Sequence, residues 1–229
     1  IYDPDNVLYI PEIKRDLPES LFLHIIRDGR DIALSLKKMG GFRPLPWDRP
    51  GSRGLEATAL YWEWMVRKGR EHGKSIPADY MEVHYEELIS NPRPTLERLG
   101  AFLDHDLDYE RIQSAAMGRW RESNSSFREE AGGQPRDTVN RWKERLSEEQ
   151  VASLESLIGK CLEEFGYPLT ATEERRLPRW QARCTRAFHF RLLSAKLWLK
   201  IHTPAGRLTN LSTLDLADEL PSKAICEAN

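Results

Sequence analysis

Residues 21–35, Leu-Phe-Leu-His-Ile-Ile-Arg-Asp-Gly-Arg-Asp-Ile-Ala-Leu-Ser, constrain the fold of this chain more than any other segment. Residues 21–26 form an apolar run of strand length, the pattern of a strand covered on both faces. Asp28-Gly29 is a turn signal. Residues 31–39 then read as a helix, with Asp28 and Asp31 near its positive N-terminal end. A buried strand that ends in a cation and turns into a helix is a building step of an open α/β sheet. Ligands bind such sheets at the carboxyl edge of their strands. The step puts the guanidinium of Arg27 and, eight residues on, the hydroxyl of Ser35 at that edge.

An unpaired guanidinium at the end of a buried strand is costly. Asp28 or Asp31 can neutralise Arg27 in place, or its planar fork can receive the phosphate of a ligand. The local pattern leaves both open. Ser35 taken alone reads as a solvated helix serine, and only its spacing to Arg27 gives it interest.

Elsewhere, strands and helices alternate. Residues 1–20 hold a helix that stops before Pro18. Residues 40–54, rich in Gly, Pro and Arg, form a loop long enough to act as a lid or to face a substrate. A long helix over 55–71 carries two adjacent apolar rows. A second strand spans 80–84 and runs into Tyr85-Glu-Glu-Leu88. Pro92 opens a helix with Leu96, Leu99 and Phe102 on one face, and a shorter helix covers 107–117. Residues 119–135 are polar and loop-like. Ser147 with Gln150 forms a capping-box pattern for a helix that ends near Phe165, with Gly166 just beyond. Residues 173–200 place Arg175, Arg179, Arg183, Arg186 and Arg191 among Trp180, Phe188, Leu192 and Trp198. This is a basic amphipathic extension, expected to wrap the domain with its apolar face packed and its arginines solvated rather than to lie on a membrane. Residues 203–229 look loop-like. The pattern is α/β with a parallel sheet, of which two strands are legible.

A chain of 229 residues can bury a sizeable core, and its net charge of −2 gives no global field for nucleic acid. Any anion site must be built locally. Cys161, Cys184 and Cys226 are too scattered for a disulfide framework or a metal-ligand set, and the six histidines show no ligand spacing. No apolar run reaches the ~18 residues of a membrane span.

Three ordered blocks resemble one family, the sulfotransferases that use 3′-phosphoadenosine 5′-phosphosulfate (PAPS). Their pattern includes a strand ending in Arg-Asp-x-Arg/Lys-Asp with a serine eight residues after the first arginine, matched by Arg27 and Ser35. A strand running into Tyr-Glu-x-Leu appears as Val83-His-Tyr85-Glu86-Glu87-Leu88, followed by Asn91-Pro92 and Phe102-Leu103. The later block appears as Asn124-Ser125-Ser126-Phe127-Arg128, Arg141-Trp142-Lys143 and Phe165-Gly166-Tyr167-Pro168. Bacterial members and the tyrosylprotein sulfotransferase branch look most similar, although Met39 stands where that branch has another arginine.

The resemblance implies a P-loop-NTPase-like parallel sheet flanked by helices, with a mostly helical C-terminal part. It implies that Arg27 and Ser35 bind the 3′-phosphate of PAPS and that Tyr85 contacts its adenine or ribose. Ser125 and Ser126 would lie in a loop over the cofactor. Arg141, or alternatively Arg128, would supply a second cation, while Trp142 packs. The implied reaction passes a sulfuryl group from PAPS to a hydroxyl or amine of a small-molecule, glycan or peptide acceptor, with no obligatory metal. From the chain itself the expectation is no nucleic-acid partner and a cytoplasmic location. Another P-loop-fold nucleotide enzyme such as a kinase, or a non-catalytic nucleotide-binding remnant, is the alternative.

The family's Lys/Arg-Ser/Thr-Gly-Thr loop, which cradles the 5′-phosphosulfate at a helix N-terminus, has no counterpart here. Gly51-Ser-Arg-Gly54 and Pro204-Ala-Gly-Arg207 lack the pattern, and Asp3, Asp5 and Glu12 are poor stand-ins for the acceptor-activating base. The expectation is therefore an N-terminally truncated protein: residues 1–169 as the C-terminal portion of a sulfotransferase domain, and 170–229 as the basic helical extension and tail.

Overall fold

The computed structural model describes residues 4–39, 54–116, 139–172 and 178–204. The residue 40–53 loop, the 119–135 segment with Ser125, Ser126 and Arg128, and the tail from 205 lie outside the described residues.

A 3-10 turn (Pro4–Leu8) and α1 (Ile10–Asp16) lead into strand β1 (Phe22–Ile26). The helices α2 (Gly29–Met39) and α3 (Leu55–Gly73) return the chain to strand β2 (Tyr80–His84). There follow α4 (Tyr85–Ser90), α5 (Pro92–Leu103), α6 (Tyr109–Ala116), the single turn α7 (Trp142–Arg145), α8 (Glu148–Glu164) and α9 (Arg179–His202). The strands pair in parallel, from Phe22 opposite Tyr80 to Ile26 opposite His84. That register brings the two strands to their carboxyl ends together, with Arg27 beside Tyr85.

β1 is covered differently from the expectation. His24 and Ile26 are buried, whereas Leu23 and Ile25 are exposed. Successive strand residues face opposite sides, and among the described residues only the His24/Ile26 side of β1 is packed.

The pillar of the fold is α3. Rather than two apolar rows it buries nearly its whole circumference, including Thr58, Leu60, Tyr61, Trp62, Glu63, Trp64 and Met65. A helix enclosed on all sides must sit in the core, and α2, α8, α9 and the N-terminal turn pack around it. Contact with α2 is close: a Cβ on Gly29 would lie 2.4 Å from the Trp62 ring, so only glycine fits. Ile26, Ala33, Leu60, Trp62, Leu154, Ile158, Leu162 and Ala182 join in one apolar cluster. Burying each such side chain is worth about 1.5–3 kcal/mol.

The start and stop signals of α8 form as expected. Ser147 Oγ accepts from Gln150 N–H, Gln150 Oε1 accepts from Ser147 N–H, and Gly166 takes φ 78° beyond the last turn. The basic extension does become a helix packed on the domain, but its faces are not distributed as expected. Ala182, Leu193 and Lys196 are buried, while Trp180, Phe188 and Trp198 project outward. The cause is Glu63, buried on α3. It needs cations, and Arg186 supplies two hydrogen bonds at 2.7 and 2.8 Å, with Arg67 adding another at 2.8 Å. The Arg186 anchor sets the rotation of α9 and turns its aromatic row to solvent. No described helix is long and apolar enough to cross a membrane.

Candidate functional site

The carboxyl edge of the two strands carries the site. Arg27 follows β1 directly. Its side chain is 17% exposed, with Nη2 3.4 Å from Asp31 Oδ2 and its guanidinium carbon 5.1 Å from the centre of the Tyr85 ring. Tyr85 follows β2 in the same way, so the pair is a direct product of the parallel register. Asp31 and Ser35 are four residues apart on α2 and so share one side of that helix, the side on which Asp31 meets Arg27. Ser35 is half-buried on that helix.

Asp31 is the fastening point. Its side chain is fully buried, and its carboxylate accepts from the backbone N–H groups of Asn140 and Trp142, each at 2.9 Å. These residues flank Arg141, so one carboxylate holds the Arg141 segment at the start of α2. Burial raises the Asp31 pKa above its ordinary value, opposed by the nearby charge of Arg27 and by these hydrogen bonds.

Arg30 carries the rest of the framework and was not singled out by the sequence pattern. It is 1% exposed and donates from Nε and Nη2 to the two oxygens of Asp28 at 3.0 and 2.7 Å. Its Nη1 donates to Glu155 at 2.7 Å and to the Pro168 carbonyl at 3.0 Å, while the guanidinium stacks 3.7 Å from the Trp142 ring. Glu155 also accepts from the Thr170 and Ala171 N–H groups. Asp28 thus serves Arg30, which leaves Asp31 to approach Arg27. The repeated Arg-Asp unit was the available signal: its two arginines divide the work, one facing the edge and one locked in the core.

Glu86 closes the arrangement. It accepts the Asp28 N–H at 2.9 Å and the Tyr167 hydroxyl at 2.9 Å. Burial, then the charge of Glu86, holds the Tyr167 phenol well above its ordinary pKa, so it remains a donor. The three sequence blocks, separated by up to 138 residues, are therefore bonded to one another. Of the expected site residues, the structure brings Arg27 and Tyr85 together at the strand edge and holds the backbone flanking Arg141 against the α2 entry, while Ser35 lies further along α2. Ser125 and Ser126 lie outside the described residues. Trp142 is buried, as expected of a packing residue. Among the described residues, no group of His, Cys, Asp and Glu side chains could hold a metal ion.

The strand edge therefore carries two arginine-bearing segments and an aromatic ring, with a helix hydroxyl on α2. Residues 2–111 match the model of the Sulfotransferase family. The chain is 23% identical over 176 residues to a Caenorhabditis briggsae protein named as a protein-tyrosine sulfotransferase, covering 75% of this chain and 61% of that protein. It is 30% identical over 97 residues to Sulfotransferase 1B1 of Mus musculus, covering 39% and 32%, respectively. With Carbohydrate sulfotransferase 1 of Homo sapiens the identity is 30% over 106 residues, covering 43% and 24%. The chain thus spans about three-fifths of the length of the first of these relatives and less of the others. No solved structure matches it.

Proposed function

We propose that this chain serves a PAPS-dependent sulfotransferase and supplies the half of the site that binds the nucleotide's 3′-phosphate. The two strands would belong to a larger parallel sheet of the P-loop-NTPase type. The carrying observation is the placement of Arg27: at a strand's carboxyl edge, against the Tyr85 ring, and linked through Asp31 to the Arg141 segment.

These residues suit the 3′-phosphoryl end of PAPS. A guanidinium offers paired donors to phosphate oxygens, Ser35 offers a hydroxyl on the same side, and the Tyr85 ring offers a flat surface beside the base or ribose. When bound, PAPS supplies the sulfuryl group for in-line transfer to an acceptor hydroxyl or amine. Arg27 and Arg141 would hold the nucleotide in register and offset its charge, the pre-set electrostatics on which such transfers depend. Arg30 and Asp28 would act only by keeping the turn rigid. Acceptors named for the relatives are protein tyrosine and carbohydrate, and the acceptor here would be of the same hydroxyl-bearing class.

The test compares two nucleotides by calorimetry. Arg27→Ala should weaken adenosine 3′,5′-bisphosphate by about 2 kcal/mol, near thirtyfold, as expected for a lost charged hydrogen-bond donor. Adenosine 5′-phosphate, which lacks the 3′ group, should bind almost unchanged. Equal losses for both would remove Arg27 from the 3′-phosphate.

A further inference from the structure

Away from the strand edge, α9 presents an outward side whose composition is unlike an ordinary solvated face. Trp180, Phe188 and Trp198 expose 66%, 65% and 56% of their surface, and Leu199 42%. At 100° per residue these four fall in one sector about 100° wide, and at 1.5 Å per residue they run along ~28 Å of helix. Arg191 lies within that sector and Arg183 beside it, both exposed. The whole helix carries Arg179, Arg183, Arg186, Arg191, Lys196 and Lys200 and no carboxylate, in a chain whose net charge is −2. Arg186 is bonded to Glu63 and Lys196 is buried, so structural pairing accounts for those two cations. It does not account for an aromatic row interleaved with exposed arginines.

The charge selects the occupant. A second copy meeting this face would set one acid-free basic helix against another, and like charges juxtaposed at an interface are strongly unfavourable. The face is also a ridge, a helix lying on the surface of the domain, which a protein partner could cover only with a matching trough. A bilayer interface conforms to a ridge. Tryptophan and phenylalanine rings settle at headgroup depth, and arginine beside them meets acidic headgroups. We propose that α9 docks the protein peripherally on an anionic lipid bilayer, with Trp180, Phe188, Trp198 and Leu199 entering the interface and Arg183 and Arg191 facing acidic headgroups. This contact is independent of the nucleotide site.

Vesicle co-sedimentation tests it with two compositions, phosphatidylcholine alone and phosphatidylcholine with phosphatidylglycerol at about one part in three. The protein should partition onto the mixed vesicles, weakly or not at all onto the neutral ones, and less as added salt shortens the screening length. Phe188→Ser with Trp198→Ser should lower partitioning by about tenfold or more, because inserted apolar area drives it. Arg183→Gln with Arg191→Gln should cost about tenfold on the mixed vesicles. All four positions are exposed, so thermal melts and adenosine 3′,5′-bisphosphate binding should stay at the parent values. Absence of partitioning onto mixed vesicles, equal partitioning onto both compositions, or equal partitioning by the parent and the aromatic variant would each overturn the proposal. So would a concentration-dependent dimer, seen by sedimentation velocity, that the aromatic variant abolishes.

Discussion

Arg30 and Asp31 sit three and four residues from Arg27 and do different work. Arg30 is buried with two carboxylates and a carbonyl as acceptors. Its removal strands Asp28 and Glu155 in the core, and breaking such a pair from one side costs about 3–5 kcal/mol. Arg30→Ala should therefore lower stability by that amount in urea unfolding. Arg30→Lys should recover little of it, because an ammonium has neither the planar fork nor the stacking surface over Trp142. Arg27→Ala should have the reverse profile, a small loss of stability and a large loss of bisphosphate affinity. Asp31→Asn keeps one acceptor where two backbone donors converge and turns an NH2 group towards the other. It should cost about 1–3 kcal/mol of stability and weaken bisphosphate binding by loosening the Arg141 segment.

His24 gives the same scale a pH dependence. Burial pushes its pKa down to about 4, and it lies 2.5 Å from the Tyr80 hydroxyl. The unfolded chain protonates a histidine near pH 6.5, so between these values the unfolded state binds more protons than the folded one. Stability should thus fall as pH drops from about 6.5 towards 4, at up to about 1.4 kcal/mol per pH unit from this group. Unfolding free energies at several pH values should show that slope, and His24→Gln should flatten it.

At the scale of elements, local signals worked where local chemistry decides. The α8 cap was readable because Ser147 and Gln150 satisfy N–H groups within one turn. Ser147→Ala should destabilise by about 1 kcal/mol, and Gly166→Ala, at φ 78°, by about 1–2 kcal/mol, both measurable as shifts in the urea midpoint. The two strands and α5 fall where apolar runs and Pro92 put them. The turn of Asp28-Gly29 enters α2 two residues earlier than the apolar pattern suggests, because Asp28 accepts the Arg30 N–H at 2.9 Å and caps the entry. What periodicity missed was enclosure. It showed apolar rows on α3 and α9 but not that Glu63 would be buried, nor that Arg186 would meet it and turn the aromatic row outward.

At the scale of the molecule, the three blocks that resemble sulfotransferases are the parts that touch: Asp28 to Glu86, Glu86 to Tyr167, Arg30 to Glu155 and Pro168, Asp31 to the Arg141 segment. Partners in one buried network are coupled energetically, so double variants of Arg30 and Glu155 should be markedly less destabilised than the sum of the singles. Double-mutant cycles in urea measure that coupling.

Residue order by itself determined the β-α step, the parallel pairing it requires, the capped helix and the candidacy of Arg27, Ser35, Tyr85 and Arg141. Those features follow from rules acting over a few residues, or from spacing along one strand and one helix. Tertiary structure alone decided that Arg30 is locked inside, which side of β1 is covered, and which side of α9 meets solvent. Each of those outcomes depends on satisfying a buried charge or covering an apolar side with partners far along the chain, and no local pattern encodes who those partners are.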